Sequence, residues 1–214
     1  MKALIIDPAN STGYCVLDFD ELTKVAEIVD WGFLDVDQHN YAGDQYIDLV
    51  NKIEHLIVKH NVNRVAIEDY FFNQRSAQGS TLNCAYRAVI HFKCRQLGLH
   101  YDILNISLWK NFVNGRTKPT KDQAAKWGKE PAKKLMTQES LYKRWDIMFP
   151  NHSISNLTGK PIKFRYDIVD AVGMTVFFAS IYLHAITIKY SIPVNDIKWK
   201  KEPKGTYEYG GNNG

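Results

Sequence analysis

The chain has 214 residues, 45% apolar and 23% charged, which suits one soluble globular domain with a real core and excludes a disordered or fibrous protein. Its three cysteines, Cys15, Cys84 and Cys94, form no CxxC pair, which argues for reduced thiols in a cytosolic setting and against a disulfide framework or zinc knuckle. The formal net charge is only +4, yet Ser107 to Lys134 holds eight basic residues against two acidic ones, a local +6 on a remainder of −2. Such a stretch is the footprint of polyanion binding, although charge alone also fits a solvated loop.

A strand pattern begins at once, from Lys2 to Asp7, and leaves no room for a signal peptide. Pro8 to Gly13 is turn material, Tyr14 to Phe19 resumes a strand, and Val25 to Val36 predicts a third with a turn or bulge near Asp30 and Gly32. Asp44 to His60 has helical periodicity, with Ile47, Val50, Ile53, Ile57 and Val58 on one face. Arg64 to Tyr70 reads as a strand closing on Glu68 and Asp69. Ser76 to Leu97 then predicts a helix whose Ala77, Leu82, Ala85, Val89 and Phe92 face a core, a partner or both. His100 to Ile106 is a fifth strand. Thr117 to Lys134 lacks periodicity and predicts an irregular basic insertion over about 115–134, before a helix from about Lys133 to Met148.

Arg165 to Tyr190 predicts the last helix. Its Ala171–Ile188 portion carries no Asp, Glu, Lys or Arg, but two acids precede it and Ser180, Tyr182, His184 and Thr187 interrupt it. It therefore reads as a helix buried in a domain, with no membrane span expected. Residues 191–214 predict a flexible tail, leaving 1–190 as the domain. The expected architecture is α/β: a mixed five-stranded sheet, an antiparallel meander plus βαβ units, flanked by helices.

The acids carry the chemistry. Asp7 ends the first strand and Glu68 the fourth; if those strands are parallel neighbours, both carboxylates project at one sheet edge. Asp167 and Asp170 open the last helix three residues apart, so at ~100° per residue they lie roughly 60° apart on one face. Taken singly, Asp7 before Pro8 could begin a turn, Glu68 could end a solvated strand, and the last two could be ordinary first-turn acids. Taken together, four close carboxylates repel unless hard divalent cations bind them. Two such ions can activate water against a phosphodiester, with the basic stretch holding the backbone.

Ile5-Ile6-Asp7-Pro8-Ala9-Asn10-Ser11-Thr12-Gly13-Tyr14 resembles the opening of the RuvC family of Holliday-junction resolvases. Ala66-Ile67-Glu68 is similar to that family's Ala-Ile-Glu, and Asp167-Ile168-Val169-Asp170-Ala171 to its Asp-Ala-Ala-Asp-Ala, in the same order and spacing across roughly residues 2 to 185. The resemblance implies a ribonuclease H-like fold, a homodimer, and Mg2+-dependent paired nicking of four-way DNA junctions. It also implies that Asp7, Glu68, Asp167 and Asp170 form the catalytic, metal-binding set for two Mg2+ ions, with Mn2+ as a substitute. The family places an aromatic three residues after its Glu, which here is Phe71; with Tyr70 and Phe72 it is a candidate to stack on or wedge between bases. Ala9 stands where the family usually has Gly, and the longer basic segment looks like that of a phage or viral branch.

Lys110 and Lys118 are candidates for stabilising the transferred phosphate, and Arg116 and Lys121 for binding DNA beside them. Trp109 and Trp127 could stack on bases or anchor the segment, and His184 reads as a core or interface residue. The expected partner is branched DNA and the expected setting the cytoplasm of a bacterium or phage-infected cell. The alternatives are a nuclease of RNA–DNA hybrids or flaps and a non-catalytic binder of branched DNA. An actin-like ATPase would need a second, duplicated domain that the length does not supply.

Overall fold

The structure, a computed structural model, describes residues 1–9, 11–36, 42–69, 77–150, 152–154, 161–164 and 166–192. The chain opens with strands β1 (Lys2–Asp7), β2 (Ser11–Asp20) and β3 (Val25–Asp35), then helix α1 (Ala42–His60), β4 (Arg64–Glu68), α2 (Ala77–Gln96) and β5 (His100–Leu104). Three helices follow, α3 (Ile106–Asn114), α4 (Lys121–Trp127) and α5 (Lys129–Trp145), before a small hairpin of β6 (His152–Ile154) and β7 (Pro161–Lys163). Helix α6 (Asp167–Ile181) and strand β8 (Thr187–Tyr190) complete the described fold. The main sheet runs β5-β4-β1-β2-β3-β8, with β1, β2 and β3 antiparallel and the pairs β1–β4, β4–β5 and β3–β8 parallel.

The alternation of side chains along β1 sets what each face holds. Ala3 and Ile5 enter a core formed with α3, α5 and α6, whereas Leu4 and Ile6 enter a second core under α1 and α2. The same parity places Cys15 and Leu17 of β2, and Ala66 of β4, on the α6 face. Helix α6 is buried continuously from Ile168 to Ala179, as a helix must be when a sheet covers one side and other helices the rest. Each such aliphatic side chain contributes about 1.5–3 kcal/mol by leaving water. No helix among the described residues is long and apolar enough to cross a membrane.

Several expectations need correction. The sheet has six strands, because the last helix stops at Ile181 and Thr187–Tyr190 pairs in parallel with Val25–Ile28. The left-handed backbone of His184 (φ 53°) separates the two, and its side chain is exposed and so lies outside the core. The basic stretch is ordered as α4 and α5, joined at Gly128. Thr120 and Gln123 form a reciprocal capping box at the start of α4, and Trp127 packs with Ala132, Leu135 and Tyr166. Helix α1 buries Leu49, Ile53, Leu56 and Ile57 and leaves Ile47 and Val58 outside; α2 buries Tyr86, Ile90 and Cys94 and leaves Phe92 outside. The expected bulge lies one residue before Asp30: Val16 pairs with Asp30 and Leu17 with Ile28, so Val29 is the extra residue. Tyr70, Phe71, Phe72 and most of the expected tail lie outside the described residues.

Candidate active site

Strand parity also aims the acids. Asp7 follows Ala3 and Ile5, and Glu68 follows Ala66, so both carboxylates leave their strand ends toward α6. The parallel register pairs Ile6 with Ile67, which makes Asp7 and Glu68 neighbours at the same edge. After Asp7 the chain turns back, and the buried Thr12 hydroxyl ties that turn by donating to the Ala9 carbonyl at 2.8 Å. Across the ladder from Asp7 stands Gly13. A Cβ on Gly13 would come closer than 3.0 Å to the carbonyl oxygen and carbon of Asp167. The missing side chain therefore lets the first turn of α6 settle on β2, bringing Asp167 and Asp170 beside Asp7.

Asp7 and Asp170 are both buried, at 8% and 5% exposure. Burial holds the Asp7 carboxyl well above the ordinary carboxylate range, and the charges of Glu68, Asp170 and Asp167 push it the same way against the pull of Lys134. Glu68 is raised too, chiefly by burial and by Asp170; Lys110, a hydrogen bond from Trp109, and Lys134 oppose the rise. The indole N–H of Trp109 donates to Glu68 Oε1 at 2.8 Å.

The positive charge in this cluster belongs to Lys134. Its ammonium donates to Asp170 Oδ2 at 2.5 Å and lies 3.7 Å from Asp167 Oδ1. Burial alone would make Lys134 easier to deprotonate, but the charges of Asp170, Asp7 and Asp167 and the Asp170 hydrogen bond outweigh it and raise its proton affinity. Sequence reasoning passed over this residue in favour of Lys110 and Lys118. The available signal was its place between apolar neighbours, since Ala132, Leu135 and Met136 are all buried. Gly13 and Trp109 were likewise missed as site-forming residues.

The remaining candidates divide. Lys110 is half-buried beside the acids, its ammonium 5.0 Å from the ring centre of Trp109. Arg116 and Lys118 are exposed on the connection after α3, and Lys121 is exposed at the start of α4. Trp109 and Trp127 are buried, so neither offers a face to a base.

Among the described residues, no group of three or more His, Cys, Asp or Glu side chains forms a ready cage for an ion. The donor set nonetheless fits a hard divalent cation in kind. It offers carboxylate oxygens only, its buried acids resist ionising side by side, and an ammonium already stands among them as a cation. Lys134→Met should therefore lower the melting temperature of the metal-free protein at neutral pH. The sign follows from the raised proton affinity of Lys134: its stabilising charge is fully present below its ordinary value of 10.5 and fades only far into alkali. An unchanged melting temperature at pH 7.5 would contradict the pairing.

A family model described as crossover junction endodeoxyribonuclease RuvC matches residues 3–133, which stops short of Lys134, Asp167 and Asp170. The RuvC crossover junction endodeoxyribonuclease of Sulfurovum sp. is 33% identical over 128 residues, covering 58% of this chain and 77% of the relative. Among solved structures, T. thermophilus RuvC in complex with a Holliday junction substrate superposes with a TM-score of 0.59 at 13% identity, over 86% of this chain and 96% of the other. The Fowlpox virus resolvase in complex with Holliday junction DNA does so with a TM-score of 0.51 at 12% identity, over 86% and 99%. At those identities the structural likeness is one of fold, and that fold is the ribonuclease H-like one expected from sequence. With more than half of its residues in the family model and a relative matched over most of its length, the chain belongs to the RuvC family of crossover junction endodeoxyribonucleases.

Proposed function

We propose that the chain is a structure-selective endodeoxyribonuclease that resolves four-way DNA junctions by paired phosphodiester hydrolysis. The observation that carries this reading is the convergence of Asp7, Glu68, Asp167 and Asp170 on one face at one end of the sheet, in a member of this family. Nucleases of the family depend on metal in general. Here Asp7, Glu68, Asp167 and Asp170 would hold Mg2+, two ions per site, with Mn2+ as a substitute. Bound there, such ions lower the pKa of an attacking water and neutralise charge on the phosphate.

The chain's own residues do the rest. Asp7, buried at the end of a central strand, is the acid that stands between the Glu68 side and the α6 side of the set. Lys134 and Lys110 provide fixed positive charge beside the scissile phosphate, where negative charge grows during attack. Arg116, Lys118 and Lys121 are exposed and neutralise flanking phosphates, which makes affinity fall with salt. Tyr70, Phe71 and Phe72 begin two residues after Glu68 and are assigned to the unstacked bases at the branch point. Paired nicks in a two-fold symmetric junction require two sites, which a homodimer supplies.

The test is cleavage of a labelled synthetic four-way junction by the full chain with Mg2+, beside linear duplex, an RNA–DNA hybrid and the Asp7→Asn protein. Symmetric nicks confined to the junction and absent in the variant are the expected result. Cleavage of the hybrid alone would move the activity to a ribonuclease. Tight junction binding with no cut by either protein would leave a binding module.

A further inference from the structure

Trp109 is buried in full, yet its polar edge is aimed at the acid cluster. Its place is built from three directions. Gly173 of α6 leaves room for the ring, since a Cβ there would lie 3.0 Å from Cζ3 of Trp109 and 3.2 Å from Cγ2 of the buried Thr137 on α5. Helix α3, which carries Trp109, is fixed at its start by Asn105, whose side chain accepts from the backbone N–H groups of Ser107 and Leu108. At its end Gly115 closes the helix in the left-handed conformation, and the Arg144 guanidinium donates to the carbonyls of Phe112 and Val113. A ring clamped in this way cannot follow a wandering carboxylate; the carboxylate must come to it.

We infer that Trp109 is a positioning residue for cleavage: its N–H pins Oε1 of Glu68 and thereby presents the other oxygen to the metal. This rests on the reading of Glu68 as one of the metal-holding acids. The indole nitrogen is a donor and never an acceptor, so it favours one arrangement of the carboxylate. It binds Oε1 and leaves Oε2 for the cluster. Supporting partners of this kind restrict the rotamers of a metal-holding group before the ion arrives, and their loss typically costs 10–100-fold in metal affinity or activity.

The experiment is Mn2+ binding to the full chain by calorimetry without DNA, for the wild type, Trp109→Phe, Glu68→Gln and the double variant, with melting temperatures recorded alongside. A chain carrying β-(3-benzothienyl)alanine at position 109 keeps the ring's volume and lacks the N–H, which separates the hydrogen bond from packing. We expect Mn2+ affinity to fall about 10–100-fold in Trp109→Phe and in the benzothienyl protein, and Trp109→Phe to add nothing once Glu68 is Gln. Wild-type affinity in the benzothienyl protein would overturn the proposal, as would an equal further loss in the Glu68→Gln background. Wild-type affinity in Glu68→Gln itself would overturn the metal role of Glu68, and the positioning role with it.

Discussion

Asp7→Asn should abolish junction cleavage and, in the same preparation without metal, raise the melting temperature at neutral pH. The first effect follows from the place of Asp7 at the centre of the acid set, and should exceed the roughly 10–100-fold loss that removing a supporting partner brings. The second follows from its burial among like charges. In the unfolded chain this carboxyl ionises near its ordinary value of 3.8, whereas in the fold it holds its proton to higher pH. A raised folded-state affinity favours the fold below the unfolded value and loses that advantage as pH rises through the folded one. At neutral pH, above its unfolded value, the Asp7 carboxyl therefore works against folding, because the fold must either bury its charge or hold its proton, and asparagine, with similar shape and no charge, removes the penalty. Each 1 kcal/mol relieved is worth roughly 2–4 °C in a chain of this size, within reach of scanning calorimetry. The advantage of the variant should vanish toward pH 4, and added Mn2+ should raise the wild type's melting temperature more than the variant's. A variant no more stable than the wild type at pH 7.5 would mean that Lys134 already compensates the charge in full.

Gly13→Ala should be nearly as damaging to activity while leaving every acid in place. The added methyl group would overlap the backbone of Asp167, and backbone inside a packed helix cannot rotate aside as a side-chain tip can. Either α6 lifts from β2 or the end of β2 bends away, and both move Asp167 and Asp170 from Asp7. Overpacking of this kind costs about 1–3 kcal/mol, and a displacement of about 1 Å at reacting groups can cost about 10²-fold in rate. Gly43→Ala is the matched control, because a Cβ there meets nothing within 4 Å. Cleavage by Gly13→Ala at the wild-type rate would show that the first turn of α6 can settle elsewhere without harm to the site.

Sequence made the two strand-borne acids legible because a carboxylate that ends an apolar strand has few places to go. Ile5-Ile6-Asp7 and Ala66-Ile67-Glu68 announce their own strand ends, and side-chain parity then fixes the face. Lys134 was hidden for the opposite reason. It is one of eight basic residues in a stretch without periodicity, and only the packing of α5 against α6 selects it from the other seven. Some signals were present and went unread. Thr120 to Gln123 has the spacing of a capping box, and Thr187-Ile188-Lys189-Tyr190 alternates as a strand should. The apolar run from Ala171 masked that alternation, because its composition does not change where the helix ends at Ile181.

The placement of Lys134, Asp167 and Asp170 late in the chain has a consequence during synthesis. A ribosome delivers the N-terminal half first, at about 5–20 residues per second, and the strands around β1 can pair as they emerge. Asp7 and Glu68 then stand together at a sheet end that still lacks its lysine and its second pair of acids. Only when α6 has left the exit tunnel can Gly13 receive it and the cluster close. A chain that stops before α6 should therefore cut no DNA, and cleavage by such a truncated chain would show that Asp7 and Glu68 suffice without the acids of α6.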